Sequence, residues 1–431
     1  MKISRALWKT AKKIIPGGTM LLSKNPDKFL INKWPSYYAR AKGCAIWSID
    51  NKKFYDFSVM GVGTNILGYA NSHVNSFVIK AVNRGNISTL NSPTDVELAK
   101  ILIKMNSWAD SVRFTKTGGE ALSLAIRIAR AFTNKDKVLF SGYHGWHDWY
   151  LSANIQNKKN LNKDLLIDLP IKGVPKALIN TAFPFKFNEI KSFLKKVKNN
   201  KNIGCVIMEV ERNVKPNLQF LKKIREYCTK KNIVLIFDEC TSGFRETYGG
   251  IYKKYKINPD IVMYGKALGN GYPIAAIVGK KHIMNSFHKT FISSTFWTEN
   301  IGSTAAIATL NLMKKNKTWK EISKKGREIK KNWIKISTKH NVPIKISGMD
   351  SLPKFEFLSK YNELFKNYLC EEMLKKGFLA KNSVYVSIAH TDILIKKYLN
   401  NLNNIFLNLK NYKEILKNKN IKSIKDFKRF N

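Results

Sequence analysis

The stretch from Ile233 to Leu268 constrains the fold more than any other part of the chain. Two apolar runs rich in β-branched residues, Ile233 to Phe237 and Ile261 to Tyr264, are each followed by a residue that can carry a charge, Asp238 and Lys266. Such runs are typical of parallel strands buried on both faces, and the functional groups of these sheets collect at the carboxyl ends of the strands. We therefore expect Asp238 and Lys266 to reach one pocket.

A buried carboxylate beside a lysine suits one particular kind of ligand. The carboxylate can pair with a protonated ring nitrogen, and the lysine can bond to an aldehyde. Pyridoxal phosphate carries both groups, so these residues favour it as the cofactor. The alternative is an ordinary α/β core whose strands happen to end in Asp and Lys, and these two residues alone do not decide between the two interpretations.

Helical and strand patterns alternate through the middle of the chain, which predicts an α/β fold with a mostly parallel sheet covered by helices. The predicted units are Phe187 to Val197, Ile203 to Val210, Leu218 to Lys230 and Asn232 to Asp238. From about Val342, short predicted strands at Pro353 to Phe357 and Val384 to Ile388 alternate with helices, as in a small terminal domain. The length of 431 residues leaves room for both domains.

A glycine pair opens the predicted helix Thr117 to Phe132, directly after a short predicted strand, Val112 to Phe114. The amino terminus of a helix presents unpaired N–H groups and the positive end of its dipole, which favours a bound phosphate. A helix also begins after glycine for other reasons. A further predicted strand ends near Tyr143, whose ring could stack on a planar ligand or could simply belong to the core.

The net charge of +46 raises the question of nucleic-acid binding. The lysines are spread along the whole chain beside many asparagines, and no basic motif with interleaved aromatic residues is present, which favours a solvated basic surface. Only the tail from Lys410 to Asn431 is dense enough in lysine to be a candidate basic patch.

The five cysteines form no C-x-x-C pair, so we expect reduced thiols and no metal site. Without an apolar run long enough for a membrane span or a leader, we expect a cytoplasmic protein.

Seven motifs together resemble the class-III aminotransferases, most closely the branch similar to glutamate-1-semialdehyde 2,1-aminomutase. In order along nearly the whole chain, they read PGGT, NILGYANSHVN, VRFTKTGGEALSLAIRIARAFT, YHGWHDW, LIFDECTSGFR, PDIVMYGKALGNGYPIAAIVGK and SSTFWTEN. The resemblance implies the type I fold of pyridoxal-phosphate enzymes and a homodimer with shared active sites. It also implies a large cofactor-binding domain at residues 61–325 and a small domain built from both termini, residues 1–60 and 326–431.

The resemblance assigns the cofactor chemistry to three residues. Lys266 forms the covalent bond to the cofactor aldehyde and then carries the proton between substrate carbon and cofactor. Asp238 pairs with the ring nitrogen and keeps it protonated. Tyr143 stacks on the ring face.

The resemblance also implies a phosphate site. Thr117, Gly118 and Gly119 hold the phosphate at the helix amino terminus, and Thr295 of a second subunit contacts it, with Thr298 as the second choice for that contact. Glu209 supports the site from a neighbouring strand, although Val210 replaces the proline that usually follows it. Arg245 matches a family position, but an arginine after a turn is often structural.

Three departures from the aminomutase pattern concern the substrate. Lys24 stands where the aminomutases have an arginine for the substrate carboxylate, and a lysine cannot make the bidentate contact. Val62 replaces an aromatic residue, and the turn at residues 117–120 reads TGGE in place of Ser-Gly-Thr-Glu.

Three hypotheses of function follow. The first is an aminotransferase acting on an amino donor and a carbonyl substrate, with a keto sugar of a polysaccharide pathway as the candidate substrate. The second is a true aminomutase that exchanges the groups within glutamate-1-semialdehyde for tetrapyrrole synthesis. The third, a nucleic-acid-binding protein on an inactive enzyme fold, has only the charge in its favour.

Overall fold

The computed structural model describes residues 2–161 and 169–410. These residues group into two units, one made of residues 2–71 with 320–410 and the other of Ser72–Trp319. The lysine-rich tail, residues 411–431, lies outside the described residues, so its interpretation as a basic patch stays a prediction. The domain boundaries at residues 60 and 325 also stay a prediction.

The strands lie in three sheets. Numbered in chain order, they are β1 (Tyr38–Lys42), β2 (Ala45–Ser48), β3 (Lys53–Phe57), β4 (Ser111–Thr115), β5 (Lys137–Ser141), β6 (Ala182–Pro184), β7 (Ile203–Met208), β8 (Val234–Asp238), β9 (Ile261–Tyr264), β10 (Ala275–Gly279), β11 (Ile344–Ser347), β12 (Lys354–Phe357) and β13 (Phe378–Ala380).

The helices carry the connections between strands. In chain order they are α1 (Lys2–Ile14), α2 (Met60–Gly63), α3 (Ser72–Asn83), α4 (Pro93–Met105), α5 (Gly118–Thr133), α6 (Asp148–Leu151), α7 (Ala153–Gln156), α8 (Ile190–Asn199), α9 (Leu218–Lys230), α10 (Lys281–Met284), α11 (Asn300–Asn316), α12 (Thr318–His340), α13 (Asn362–Lys375) and α14 (Asp392–Lys410). Part of the short α2 has left-handed backbone angles, at Gly61 and Val62.

The sheet of the Ser72–Trp319 unit has the strand order β4-β10-β9-β8-β7-β5-β6. β6, β5, β7, β8 and β9 pair in parallel, whereas β10 runs antiparallel to both β9 and β4. β4 therefore points the same way as β9. The predicted mostly parallel sheet is confirmed, and every strand except β10 ends at the same edge.

The core of this unit lies between the sheet and α5. All residues of β7, β8 and β9 are buried, which explains why these strands read as continuous apolar runs in the sequence. α5 places one apolar face on the sheet through Leu122, Ala125 and Ile126 among others. The helix ends at Asn134, whose φ of 52° is the left-handed conformation common after a helix.

The other unit contains a sheet with the strand order β1-β2-β3-β13 and the β11-β12 hairpin. The predicted strand Val384 to Ile388 is wrong, because this buried segment is irregular. Its N–H groups donate to three separate segments: Tyr385 N to Ser58 O (2.9 Å), Val386 N to Ser351 O (3.0 Å) and Ile388 N to Ile66 O (3.0 Å). The apolar residues of this segment reported its burial correctly, but no single neighbouring strand pairs with it.

No helix in the described part of the chain combines the length and the apolar character that crossing a membrane requires. The cytoplasmic location stays a prediction.

Candidate active site

The carboxyl edge of the parallel strands collects most of the residues singled out from the sequence. Asp238 is the last residue of β8, and Lys266 follows β9 by two residues. Glu209 comes directly after β7, and Tyr143 comes two residues after β5. Thr117 follows β4, at the start of α5. Because these strands are parallel, their ends share one edge, which is where α/β proteins bind ligands.

Asp238 is buried and held on both carboxylate oxygens. Its Oδ1 accepts a hydrogen bond from Cys240 N (2.9 Å), and its Oδ2 lies 2.8 Å from His144 Nδ1. The other ring nitrogen of His144, Nε2, lies 3.2 Å from Ser141 O. A carboxylate oxygen only accepts, so Nδ1 of His144 is the donor in the contact with Asp238. The carboxylate is thus fixed in orientation and cannot rotate without losing a partner.

Lys266 occupies a strained backbone position. Its φ is +40°, in the region that disfavours side chains with a Cβ. The side chain is half-buried, and its Nζ donates to the Thr241 hydroxyl at 2.6 Å. Backbone strain of this kind persists only where the surrounding structure enforces it. Here the conformation of Lys266 directs its amine from the end of β9 toward Thr241, which follows β8.

The amino terminus of α5 presents backbone donors. Thr117 and Glu120 form a reciprocal capping box, in which Glu120 Oε2 accepts from Thr117 N (2.8 Å) and Thr117 Oγ1 accepts from Glu120 N (3.3 Å). The N–H groups of Gly118 and Gly119 donate to no atom within residues 2–161 and 169–410. These two donors, at the positive end of a 16-residue helix, fit a phosphate.

Both glycines pack too closely for a side chain. A Cβ built on Gly118 would lie 3.0 Å from Cys240 Sγ, and one built on Gly119 would lie 2.7 Å from His147 Nε2. A Cβ on Gly265 would also lie 3.2 Å from Cys240 Sγ. The thiol of Cys240 therefore lies between the turn at residues 117–119, called the phosphate turn below because it is the candidate phosphate site, and the turn that carries Lys266. Burial raises the pKa of this thiol, which keeps it neutral.

Glu209 lies behind Tyr143. Its Oε2 accepts from Tyr143 N at 3.3 Å in a partly buried contact, and its Oε1 pairs with the buried Arg212 Nη1 at 2.9 Å. The half-buried Tyr143 ring makes an edge contact with Tyr150, with 5.9 Å between centroids. The structure thus brings Glu209 together with Tyr143, and the supporting role predicted for Glu209 stays a prediction.

The other residues singled out from the sequence do not lie at strand ends. Thr295 and Thr298 are exposed, at the two ends of the one-turn helix Thr295–Thr298. Arg245 is fully buried and donates from Nε to Thr241 O (2.7 Å), which agrees with a structural role. Lys24 and Val62 belong to the other unit, and the left-handed φ of +60° at Val62 is unusual for a β-branched residue.

Sequence reasoning missed the contact between His144 and Asp238. The only available signal was its position at the end of a predicted strand, beside Tyr143. Metal binding has no candidate residues in the part of the chain that the structure describes, since no three His, Cys, Asp or Glu side chains cluster there.

Comparison with known proteins matches residues 31–405 to the model of the family described as aminotransferase class-III. The 3-aminobutyryl-CoA aminotransferase of Cloacimonas acidaminovorans is 29% identical over 403 residues, covering 90% of this chain and 93% of that protein. The glutamate-1-semialdehyde 2,1-aminomutase of Sulfolobus acidocaldarius is 33% identical over 323 residues, covering 73% of this chain and 74% of that protein.

Among solved structures, the PLP internal aldimine form of the FumI protein from Sphingopyxis sp. MTA144 has a similar fold. It is 22% identical, with a TM-score of 0.87, and the match covers 98% of this chain and 99% of that one. The predicted type I fold and the predicted family are confirmed. The chain belongs to the class-III aminotransferases.

Proposed function

We propose that this chain is an aminotransferase that moves an amino group between a small amino donor and a carbonyl acceptor, using Lys266 and Asp238. Class-III aminotransferases depend on pyridoxal phosphate. One observation supports this choice of residues. Asp238 ends β8, and Lys266 follows the adjacent parallel strand β9 by two residues. The Cys240 thiol lies between the turn that carries Lys266 and the start of α5.

The residues present fit this cofactor. A phosphate needs donors, and Gly118 and Gly119 offer two unused N–H groups at a helix amino terminus. A protonated ring nitrogen needs a buried anion, and Asp238 is buried and oriented by His144. An aldehyde needs an amine, which Lys266 supplies. When bound, the cofactor supplies an electron sink for the pair released at the substrate carbon.

Each protein group then has a limited task. Lys266 Nζ would remove the proton from the substrate carbon and pass it to the cofactor, and the Thr241 hydroxyl lies within hydrogen-bond distance of this amine. Asp238 holds the proton on the ring nitrogen, and the hydrogen bond from His144 keeps the carboxylate facing it. Tyr143 covers the ring, and Glu209 holds the backbone of Tyr143 from behind.

The active form is proposed to be a homodimer in which Thr295 contacts the phosphate bound by the other subunit. In support of this proposal, large apolar side chains are exposed near Thr295: Phe291 is 84% exposed, Phe296 69% and Leu90 82%. The Asn86 carbonyl accepts from Asn300 N (2.8 Å), so the segment leading to Leu90 adjoins the start of α11. Large apolar side chains exposed on a highly charged chain favour a contact with a second copy.

The proposed acceptor is a nucleotide-linked or polysaccharide-pathway keto sugar. The support is that Lys24 offers one point charge in place of a bidentate arginine, which weakens recognition of a substrate carboxylate. Aminomutase activity on glutamate-1-semialdehyde is the second candidate, favoured by the similarity to the Sulfolobus acidocaldarius enzyme. Nucleic-acid binding has only the charge of +46 in its support.

The stoichiometry of the amino group separates the first two candidates. An aminotransferase consumes one donor for each aminated product, whereas an aminomutase needs no donor and returns an isomer of its substrate. We would incubate the cofactor-loaded protein with amino acids and keto sugars, or with glutamate-1-semialdehyde alone, and quantify products by mass spectrometry. Isomerisation without a donor would replace the first candidate by the second.

The Lys266→Ala variant tests the lysine. We expect it to lose the visible absorbance of bound pyridoxal phosphate, whereas Lys280→Ala, at the opposite edge of the sheet, keeps it. Visible absorbance retained by Lys266→Ala would contradict the assignment. A protein that stays colourless with added pyridoxal phosphate and binds DNA at physiological salt would support the third candidate.

A further inference from the structure

The segment between β10 and α11 presents two different sides. Trp297, in the one-turn helix Thr295–Thr298, is half-buried and packs against the core of its own unit, whereas Thr295, Phe296 and Thr298 are exposed. The inward side chain attaches the segment to its own subunit. The outward side chains are available to a second copy.

The first attachment is a hydrogen bond to the helix that carries the phosphate turn. Trp297 Nε1 donates to Glu120 Oε1 at 3.1 Å. The other oxygen of the same carboxylate accepts from Thr117 N (2.8 Å) and Lys116 N (3.1 Å). Burial by itself raises the pKa of Glu120, but the hydrogen bonds from Trp297, Thr117 and Lys116 lower it overall, so the carboxylate is ionised.

The second attachment is an ion pair between Lys116 and Glu299. The two side chains are only 13% and 10% exposed. Glu299 also caps α11, with Oε1 accepting from Gly302 N (2.8 Å) and Oε2 from Ile301 N (2.7 Å). Removing one partner of a mostly buried pair leaves the other charge without compensation. The segment is therefore fastened to residues 116–120 twice, through Trp297 within its single turn and through Glu299 directly after that turn.

The geometry also distinguishes the two exposed threonines. Thr298 Oγ1 donates its hydrogen to Thr295 O at 2.8 Å, so that hydroxyl is already used. The Thr295 hydroxyl has no hydrogen-bond partner within residues 2–161 and 169–410. Of the two, Thr295 has the free donor that a phosphate oxygen accepts.

We propose that a two-point anchor positions Thr295 to bind the cofactor phosphate of a second copy of this chain. The anchor consists of the Glu120–Trp297 hydrogen bond and the Lys116–Glu299 ion pair. The proposal rests on the proposed dimer and assigns a positioning role to four residues that touch no cofactor. A fixed one-turn helix loses little conformational entropy when Thr295 binds, so the anchor sets the affinity for the phosphate. Since Lys116 and Glu120 flank the turn at residues 117–119, the same residues order the donors of both subunits.

The test compares pyridoxal phosphate with pyridoxal, which lacks the phosphate. We would measure the dissociation constant of each for the apo form of the full chain by absorbance titration. Trp297→Phe keeps an aromatic ring and removes the hydrogen bond, and we expect it to weaken binding of pyridoxal phosphate about tenfold, the equivalent of one hydrogen bond, while pyridoxal binding is unchanged. Trp108→Phe, which removes the indole hydrogen bond to Tyr252 (3.0 Å), is the matched control and should change neither constant.

Lys116→Met tests the second attachment, with Lys280→Met as its control because Lys280 pairs with Asp260 (2.7 Å) away from the site. We expect only Lys116→Met to weaken pyridoxal phosphate binding. Equal weakening of pyridoxal and pyridoxal phosphate by Trp297→Phe or Lys116→Met would overturn the proposal, because it would indicate general damage to the site. No weakening of pyridoxal phosphate binding would overturn it as well.

A double-mutant cycle separates this proposal from the proposed dimer contact. If Trp297 acts through Thr295, Thr295→Ala weakens pyridoxal phosphate binding, and adding Trp297→Phe causes little further loss. Additive losses would show that Trp297 acts on its own subunit's phosphate turn, and would overturn the anchor while leaving the contact of Thr295 intact. Unchanged affinity in Thr295→Ala would reject the contact itself, and the anchor with it.

Discussion

Nδ1 of His144 lies 2.8 Å from Oδ2 of Asp238, and both side chains are buried. The histidine comes from the turn after β5 and the aspartate from the end of β8, so the sheet brings together two residues that are far apart in sequence. The contact fixes the carboxylate that is proposed to pair with the cofactor ring nitrogen.

Replacing His144 should reduce catalysis more than cofactor affinity. A hydrogen bond to a charged group contributes about 1.5–3 kcal/mol, so His144→Phe is expected to lower kcat by roughly 10- to 100-fold. His144→Asn keeps a donor near the Nδ1 position and should retain most of the activity. Rapid-mixing measurements of the half-reaction with an amino donor provide the check, and equal losses in the two variants would point to packing as the role of His144.

Adding a methyl group at Gly119 should disturb the phosphate turn. The new Cβ would lie 2.7 Å from His147 Nε2, and the ring is restrained by a contact of 2.6 Å between its Nδ1 and Ser123 Oγ. We expect Gly119→Ala to weaken pyridoxal phosphate binding about tenfold, the loss of roughly one hydrogen bond. Combining it with His147→Ala should restore part of the affinity in an absorbance titration. Failure of the second substitution to help would show that His147 does not cause the clash.

Glu239 should make the stability of the protein fall with rising pH. Burial raises the pKa of Glu239 to about 7. Hydrogen bonds from Ser242 and Tyr252 oppose this increase, and the charge of Asp238 adds to it. The folded chain therefore keeps this proton between about pH 4.5 and 7, where the unfolded chain releases it, so the free energy of unfolding falls by roughly 3 kcal/mol over that range.

Glu239→Gln removes this titration. Urea unfolding at several pH values should give a smaller decrease between pH 4.5 and 7 in Glu239→Gln than in the unsubstituted protein. Glu97→Gln, at an exposed position, is the control and should leave the decrease unchanged. An identical slope in all three proteins would contradict the prediction.

His390 should have the opposite effect at acid pH. Its Nδ1 accepts from Ser387 N (3.1 Å), and its Nε2 donates to Asp56 O (2.7 Å), which satisfies the neutral ring. Burial lowers the pKa of His390 to about 4. Between about pH 6.5 and 4, the unfolded chain binds a proton at this histidine and the folded chain does not. The free energy of unfolding therefore decreases by roughly 3 kcal/mol as the pH falls from 6.5 to about 4.

His390→Asn cannot take up this proton. Although it should be less stable at neutral pH, its stability should change less between pH 6.5 and 4, as measured by urea unfolding. His73→Asn, at an exposed position, provides the comparison. A steeper acid loss in His390→Asn than in the unsubstituted protein would count against the assignment.

Local sequence signals predicted the elements that end at the site. The apolar runs of β7, β8 and β9 were readable because both faces of these strands are buried, and the buried face of α5 follows the helical period. The motif set identified the family, and with it the cofactor. The segment Val384 to Ile388 shows the limit, since a run of apolar residues reports burial but does not identify the hydrogen-bond partner.

By itself, the sequence determined the parallel α/β core, the family, and the order in which Asp238 and Lys266 follow their strands, because these depend on local periodicity and short motifs. Only the tertiary structure decided that His144 orients Asp238, that the Cys240 thiol separates two turns, and that Trp297 and Glu299 are fastened to residues 116–120. Each of these relationships joins residues that are far apart in sequence, and their distances depend on how the whole sheet and its connections are assembled.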